Sequence, residues 1–398
     1  MNPLLSRRSF LAGTAAVAAV AGTGLPKLAA ARQVAAVRQV AAAPAPVLIN
    51  ANEYPGGPCP AALEAIERIA PQGGRYLFEM ALELFDTLSR QLNVPTDHLM
   101  AYPGSSPPLD FAMLAFTSPE ASLVTADPTF ESGWEAAARN GARVIKVPAR
   151  ADDSHDVEAM CAADPKAGVI YICNPNNPTG AVTARGDIEY ALQHKPRGSV
   201  LVVDEAYIHF SESAASAVDL VAAGEDVVVL RTFSKLYGMA GIRLGYVVAR
   251  PALLQKIKFY GVNSLPVTAM AAGLASLRDP DVVPQRRRDN TALRTATVQW
   301  LQAQGYECTR SESNCFMLDV KRPAKEFIDD MATHGVMVGR SWPGFPTRSR
   351  ITVGTAADMD SFRRAFALVA QGRRGPLPVP RHPGMACNEL DRHRLLLA

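Results

Sequence analysis

Cysteine is sparse in this 398-residue chain and never grouped: the six thiols stand at 59, 161, 173, 308, 315 and 387, without a Cys-x-x-Cys pair or a Cys/His ligand spacing. That scatter excludes a structural zinc site and a disulfide framework, and no metal is expected. No uninterrupted apolar run reaches the ~20 residues of a comfortable membrane span. Acidic residues are missing altogether from 1–43, where Arg7, Arg8, Lys27, Arg32 and Arg38 give +5. Residues 373–398 carry five arginines against Glu389 and Asp391, a further +3. The formal total is only +3, so removing both ends leaves the body at −5. A nucleic-acid-binding core is therefore not expected. What the chain has in plenty is apolar residues, 48% of the total, which excludes wholesale disorder. Its length suits two domains or one large α/β domain.

Ser6-Arg7-Arg8-Ser9-Phe10-Leu11 precedes a short stretch of Ala, Val, Gly and Leu that runs to Leu25. Leu28-Ala29-Ala30-Ala31 then offers small residues for cleavage. A twin arginine, a weak apolar segment and a cleavage-like end, in that order, are the pattern of a Tat export signal over 1–31. This reading implies a Tat translocon as a transient partner and a periplasmic destination, or the cytoplasm if the segment is no signal. Residues 32–46, rich in Ala, Val and Pro, read as a linker, and the Pro-containing tail 373–398 as disordered.

Between those ends, helical and strand-like patterns alternate. Residues 78–92 show apolar positions at helical spacing. Short β-branched runs at 122–126, 144–147, 169–173, 200–203 and 227–230 are bounded by Gly, Pro, Asn or Asp. Helical stretches at 130–140 and 187–193 lie among them. Buried strands alternating with helices predict an α/β fold with a large, mostly parallel, seven-stranded type of sheet flanked by helices. After Pro251 come helices, including 283–304, then strands at 316–320, 336–338 and 350–353 with helices at 324–334 and 356–370. These predict a smaller α+β C-terminal domain. The expected division is an N-terminal arm and the start of the small domain at 47–75, a large domain at 76–279 and the small C-terminal domain at 280–372.

Polar clusters follow the predicted strands, where ligands of such sheets bind. Asn174-Pro175-Asn176-Asn177-Pro178-Thr179-Gly180 follows one, and Asp204-Glu205-Ala206-Tyr207 follows the next. Thr232-Phe233-Ser234-Lys235 and Ala240-Gly241-Ile242-Arg243-Leu244-Gly245 come after a third. Any one alone reads as a turn, a cap, a surface lysine or half a salt bridge. Together and in this order they point to one site.

The set resembles the fold-type I pyridoxal-phosphate (PLP) aminotransferases of class I/II, most closely the histidinol-phosphate aminotransferase branch, over residues 47–372. Ile49-Asn50-Ala51-Asn52-Glu53-Tyr54-Pro55 and Arg350-Ile351-Thr352-Val353-Gly354 belong to the resemblance. It implies pyridoxal 5'-phosphate as cofactor and a homodimer with shared sites. It also implies amino transfer between an L-amino acid, or an amino-alcohol phosphate, and a 2-oxo acid. Lys235 would be the Schiff-base former and proton shuttle, Asp204 the partner of the ring nitrogen, and Asn177 and Tyr207 the donors to the ring hydroxyl. Ser105, Ser106, Ser234, Arg243 and Thr232 would hold the phosphate, joined by Tyr76 from the neighbouring subunit. Phe130 would stack on the ring, Arg350 would clamp the substrate carboxylate, and Asn52 and Tyr54 would lie near the substrate. The same fold and cofactor also serve lyases, decarboxylases, racemases and cyclases, which motifs separate poorly.

One departure bears on the substrate. The branch has an arginine for the substrate phosphate immediately after the strand at 336–338. Here that place is Gly339, with Arg340 one residue later. A one-residue slip along a strand reverses the face. The segment 341–346, Ser-Trp-Pro-Gly-Phe-Pro, reads first as a Pro-stiffened loop and only second as the lining of an aromatic-friendly pocket. The displaced arginine argues against histidinol phosphate as the substrate, and export from the cytoplasm argues against histidine biosynthesis.

Overall fold

The computed structural model describes residues 45–262 and 264–377. The expected signal at 1–31, most of the linker and all but the start of the tail lie outside them.

Twelve strands are present among the described residues: β1 (Val47–Ile49), β2 (Leu99–Tyr102), β3 (Ser122–Asp127), β4 (Val144–Pro148), β5 (Ala167–Cys173), β6 (Val200–Asp204), β7 (Val227–Thr232), β8 (Gly245–Ala249), β9 (Glu307–Cys308), β10 (Cys315–Asp319), β11 (Val336–Val338) and β12 (Arg348–Thr352). Seven form the main sheet in the order β2-β8-β7-β6-β5-β3-β4. Pairings from β4 through β7 are parallel, while β8 runs antiparallel to both of its neighbours. The expected α/β architecture with a seven-stranded, mostly parallel sheet is the one observed.

Two-residue periodicity sorts the β-branched strands onto two buried faces. Val169, Tyr171 and Cys173 of β5, Val200 and Val202 of β6, and Val228 and Leu230 of β7 share one apolar cluster. Ile170, Ile172, Leu201, Val203, Val227 and Val229 share the cluster on the other face. Helices cover both faces, as a sheet with no polar side requires. Ser106–Phe116, Ser132–Arg139 and Pro251–Lys258 contribute to the first cluster, and Pro60–Ile69, Phe78–Leu92 and Val267–Arg278 to the second.

Past the 21-residue helix Val282–Gln302, β12, β10 and β9 form an antiparallel sheet, and β1 pairs in parallel with β11. Ile49, Phe316, Phe327, Phe362 and Phe366 meet in a third cluster there. The arm that begins at Val47 is thus anchored to chain nearly three hundred residues away, which brings Asn50 and Asn52 beside the later strands.

Strands β2 and β8 were not read from the sequence. Leu99-Met100-Ala101-Tyr102 contains no β-branched residue, and Gly245-Tyr246-Val247-Val248-Ala249 adjoins the arginine cluster. In β2 tertiary pairing overrides weak local preference, whereas Tyr246, Val247 and Val248 of β8 are strand formers by themselves.

Candidate active site

One edge of the sheet gathers the chemistry. The chain leaves β2, β3, β5, β6 and β7 at this edge and enters β8 there, because β8 alone is reversed. Pairing sets Cys173 beside Asp204 and Thr232 beside Gly245. Alternation then turns Tyr171, Cys173, Asp204 and Thr232 to the same face of the sheet. A cavity of about 620 Å³ opens over them, walled by Ser105, Ser106, Phe130, Tyr207, Lys235 and Arg243 among others.

Asp204 is the floor. Its Oδ2 accepts a hydrogen bond from the Tyr171 hydroxyl at 3.0 Å, and its Oδ1 accepts one from the Ala206 amide at 3.1 Å. Burial pushes this carboxyl up to about 6, against the downward pull of those two donors and of Lys235; Glu205 adds to the rise. On the opposite side of the sheet, Glu205 is paired with Arg231 at 2.8 Å. Lys235 Nζ lies 5.5 Å from the centre of the Tyr207 ring.

A second end of the cavity is built for an anion. Arg243 Nη1 donates to Ser234 Oγ at 3.2 Å and to the Ala240 carbonyl at 2.9 Å, and Nη2 donates to the Pro103 carbonyl at 3.0 Å. Thr232 Oγ1 donates to Ser234 Oγ at 2.9 Å. The helix Ser106–Phe116 begins here; its Ncap Ser105 makes no side-chain cap hydrogen bond, and Ser105, Ser106 and Pro107 at this helix end line the cavity. Pro107 and Pro108 fall in the first turn, where a missing N–H costs nothing. Gly104 has φ +95°, and a Cβ on it would fall 2.2 Å from Arg243 Nη2. Gly245 in turn packs on the Gly104 backbone, where a Cβ would sit 2.5 Å from its carbonyl carbon. The two glycines let the loop, the helix end and the guanidinium close into one cradle.

Asn52, Asn177 and Arg350 form a buried layer joined to the cavity through Tyr207. Asn52 Nδ2 donates to Tyr207 Oη at 3.0 Å and to Asn177 Oδ1 at 3.4 Å. Arg350 Nη1 donates to the same Asn177 Oδ1 at 2.8 Å, and Nη2 to the Asn50 carbonyl at 2.8 Å. With Oδ1 engaged by two donors, the amide of Asn177 is turned so that Nδ2 is the end it can offer. The Asn176 side chain bonds Thr129, Pro128 and Thr179, tying the Asn/Pro loop to the segment that carries Phe130.

Two expected residues stand apart. Tyr54 lies under the Arg286 guanidinium, 4.4 Å from its ring centre, and is not on the cavity wall. Tyr76 is 70% exposed and stacks on Phe78. Sequence reading missed Tyr171, Cys173, Asp110 and Phe111, all at or just behind the cavity. Period-two alternation was the available signal for the first two, since it puts them on the face of Asp204.

The residues fit pyridoxal phosphate. A buried carboxylate at the floor suits a protonated ring nitrogen, and the glycine-lined cradle with its arginine, hydroxyls and helix end suits a phosphate. Phe130 supplies an aromatic wall, and Lys235 supplies an amine. Residues 45–366 match the profile of aminotransferase class I and II. The chain belongs to that family.

Among its relatives is a histidinol-phosphate aminotransferase of Symbiobacterium thermophilum, 37% identical over 329 residues, covering 80% of this chain and 89% of the relative. An aromatic amino acid aminotransferase of Rhodococcus jostii is 33% identical over 340 residues, covering 83% and 92%. The solved histidinol-phosphate aminotransferase of Sinorhizobium meliloti, in complex with pyridoxal-5'-phosphate, superposes with a TM-score of 0.75 at 25% identity, covering 81% and 90%. The present protein is likewise a PLP-dependent aminotransferase.

Proposed function

We propose that this aminotransferase takes its amino group from an L-amino acid with an uncharged, aromatic side chain and passes it to a 2-oxo acid. The observation that carries the substrate class is the state of Arg340. Its guanidinium is ion-paired with Glu131 and lies 3.9 Å from the centre of the Trp342 ring, with both charged groups largely out of solvent. An arginine so neutralised is a poor anchor for a substrate phosphate. The same indole, buried, lies 5.5 Å from the Arg350 guanidinium, so an aromatic ring packs beside the candidate carboxylate clamp. The Rhodococcus relative, by its name an aromatic amino acid aminotransferase, supports the reading.

The expected result is a kcat/KM for L-phenylalanine or L-tyrosine at least about tenfold above that for histidinol phosphate. Glu131→Gln uncovers the Arg340 charge and shifts preference toward the phosphate substrate by about tenfold. A parent enzyme that prefers histidinol phosphate sinks the reading.

When bound, PLP supplies an electron sink that stabilises negative charge on the carbon bearing the amino group. In this reading Asp204 would keep a proton on the ring nitrogen. Tyr207 Oη and Asn177 Nδ2 would serve the ring oxygen as donors, and Phe130 would shield the ring from water. Ser234 Oγ, Arg243 and the amides of Ser105 and Ser106 would hold the phosphate, with Thr232 orienting Ser234. Lys235 Nζ would bind the cofactor at rest and then carry the proton on and off the substrate carbon. Arg350 receives the α-carboxylate in its planar fork, and because it also holds Asn177, substrate binding is felt at the cofactor.

The reading includes the division into an arm, a large cofactor domain over 76–279 and a small domain over 280–372. It also includes a second copy of the chain. Tyr76, Phe78 and Leu82 make an exposed apolar row, 70%, 70% and 64% accessible, at the start of the helix Phe78–Leu92. A native mass of two chains by light scattering is expected; a monomer that retains full activity argues against shared sites. Arg7 and Arg8 are read as a Tat export signal leading to the periplasm. Replacing both with Lys is expected to leave the protein in the cytoplasm, and unchanged export refutes this.

A further inference from the structure

Behind the floor of the cavity, Tyr171 sits two residues before the edge of β5, on the face that Asp204 shares. Its ring reaches forward until the hydroxyl meets Asp204 Oδ2 at 3.0 Å. Both side chains are buried. We propose that Tyr171 is a positioning residue for the cofactor: its hydroxyl holds the Asp204 carboxylate from behind, in the orientation and the ionised form that the ring nitrogen requires. The proposal rests on the reading of Asp204 as the partner of that nitrogen.

A carboxylate has about four acceptor positions. Tyr171 and the Ala206 amide take one on each oxygen, which fixes the plane of the group and leaves the others toward the cavity that Asp204 lines. Burial disfavours the charged carboxylate, and the Tyr171 hydroxyl is the foremost of the groups that oppose this. The other titratable groups facing Asp204 are the Cys173 thiol on β5, Lys235 beyond β7 and Glu205 next in the chain, the last paired with Arg231 on the opposite face. Burial raises both the Tyr171 hydroxyl and the Cys173 thiol well above their ordinary values. Tyr171 therefore remains a donor at every pH at which the enzyme works.

Tyr171→Phe keeps the ring and removes only the donor. The test titrates PLP into the apoprotein between about pH 5 and pH 8, comparing the parent, Tyr171→Phe, Asp204→Asn and the double variant. The expected result is about tenfold weaker PLP binding in Tyr171→Phe near neutral pH. Loss of a donor raises the carboxyl pKa, so the acid-side fall in PLP affinity moves to higher pH. With Asn at 204, the same Tyr171→Phe change alters affinity by less than about twofold. The melting temperature of the Tyr171→Phe apoprotein stays near that of the parent. Affinity within about twofold of the parent with an unshifted pH profile overturns the proposal, as does an equal loss in both backgrounds. If Asp204→Asn leaves PLP binding unchanged, the reading of Asp204 fails and this proposal with it. If Asp204→Asn weakens binding and Tyr171→Phe does not, only the role of Tyr171 falls.

Discussion

Lys235→Ala is expected to reduce amino transfer by about ten-thousand-fold or more while leaving the protein folded and able to bind PLP. Among the described residues lining the cavity, Lys235 is the one lysine. Both of its tasks, holding the cofactor at rest and moving the proton, need a primary amine within reach of the same carbon. Arg243, the neighbouring cation, is locked to Ser234, Ala240 and Pro103 and does not lose its proton at working pH. No other side chain on the wall can take over. Binding survives because the floor carboxylate and the phosphate cradle are separate from the amine. The measurements are steady-state turnover with L-phenylalanine and a PLP titration of the same variant. Turnover within about tenfold of the parent removes Lys235 from the mechanism.

Arg350→Ala is the second large effect, with kcat/KM for L-amino acids falling by about a thousandfold, about 4 kcal/mol. Two losses combine. The α-carboxylate loses its bidentate, charge-assisted partner, and Asn177 loses the shorter of the two donors that set the direction of its amide. Arg350→Lys keeps the charge but not the fork, so it recovers only part of the activity. The informative comparison is phenylalanine against phenylethylamine, which lacks the carboxylate. The parent discriminates strongly, and Arg350→Ala discriminates little. A variant that still prefers the amino acid by the parent's margin places the clamp elsewhere.

Much of this site could be read from the sequence because its residues sit in short runs immediately after strands. Asp204 ends β6, and Ser234 and Lys235 follow β7. The fold was legible for the same reason: β3 to β7 are β-branched runs punctuated by Gly, Pro and Asn. What escaped was set by tertiary placement. β8 is reversed, and its reversal is what brings Arg243 and Gly245 to the same edge as the parallel strands. Tyr171 lay inside an apolar strand and read as core, although alternation places it with Asp204. The coupling of Asn52, Asn177 and Arg350 spans about three hundred residues of chain and depends on β1 pairing with β11. Tyr54 shows the converse. It belongs to a matched segment, but the fold packs it beneath Arg286 and away from the cavity.

If Lys235 and Asp204 use PLP for reversible amino transfer, the visible absorption of the PLP-loaded protein reports it during a single half-reaction. Adding L-phenylalanine without an acceptor should bleach the band and release one equivalent of the matching 2-oxo acid per site, and adding a 2-oxo acid should restore the band. Release of carbon dioxide in place of the 2-oxo acid, or the same bleaching and oxo-acid release from Lys235→Ala at the parent's rate, would contradict it.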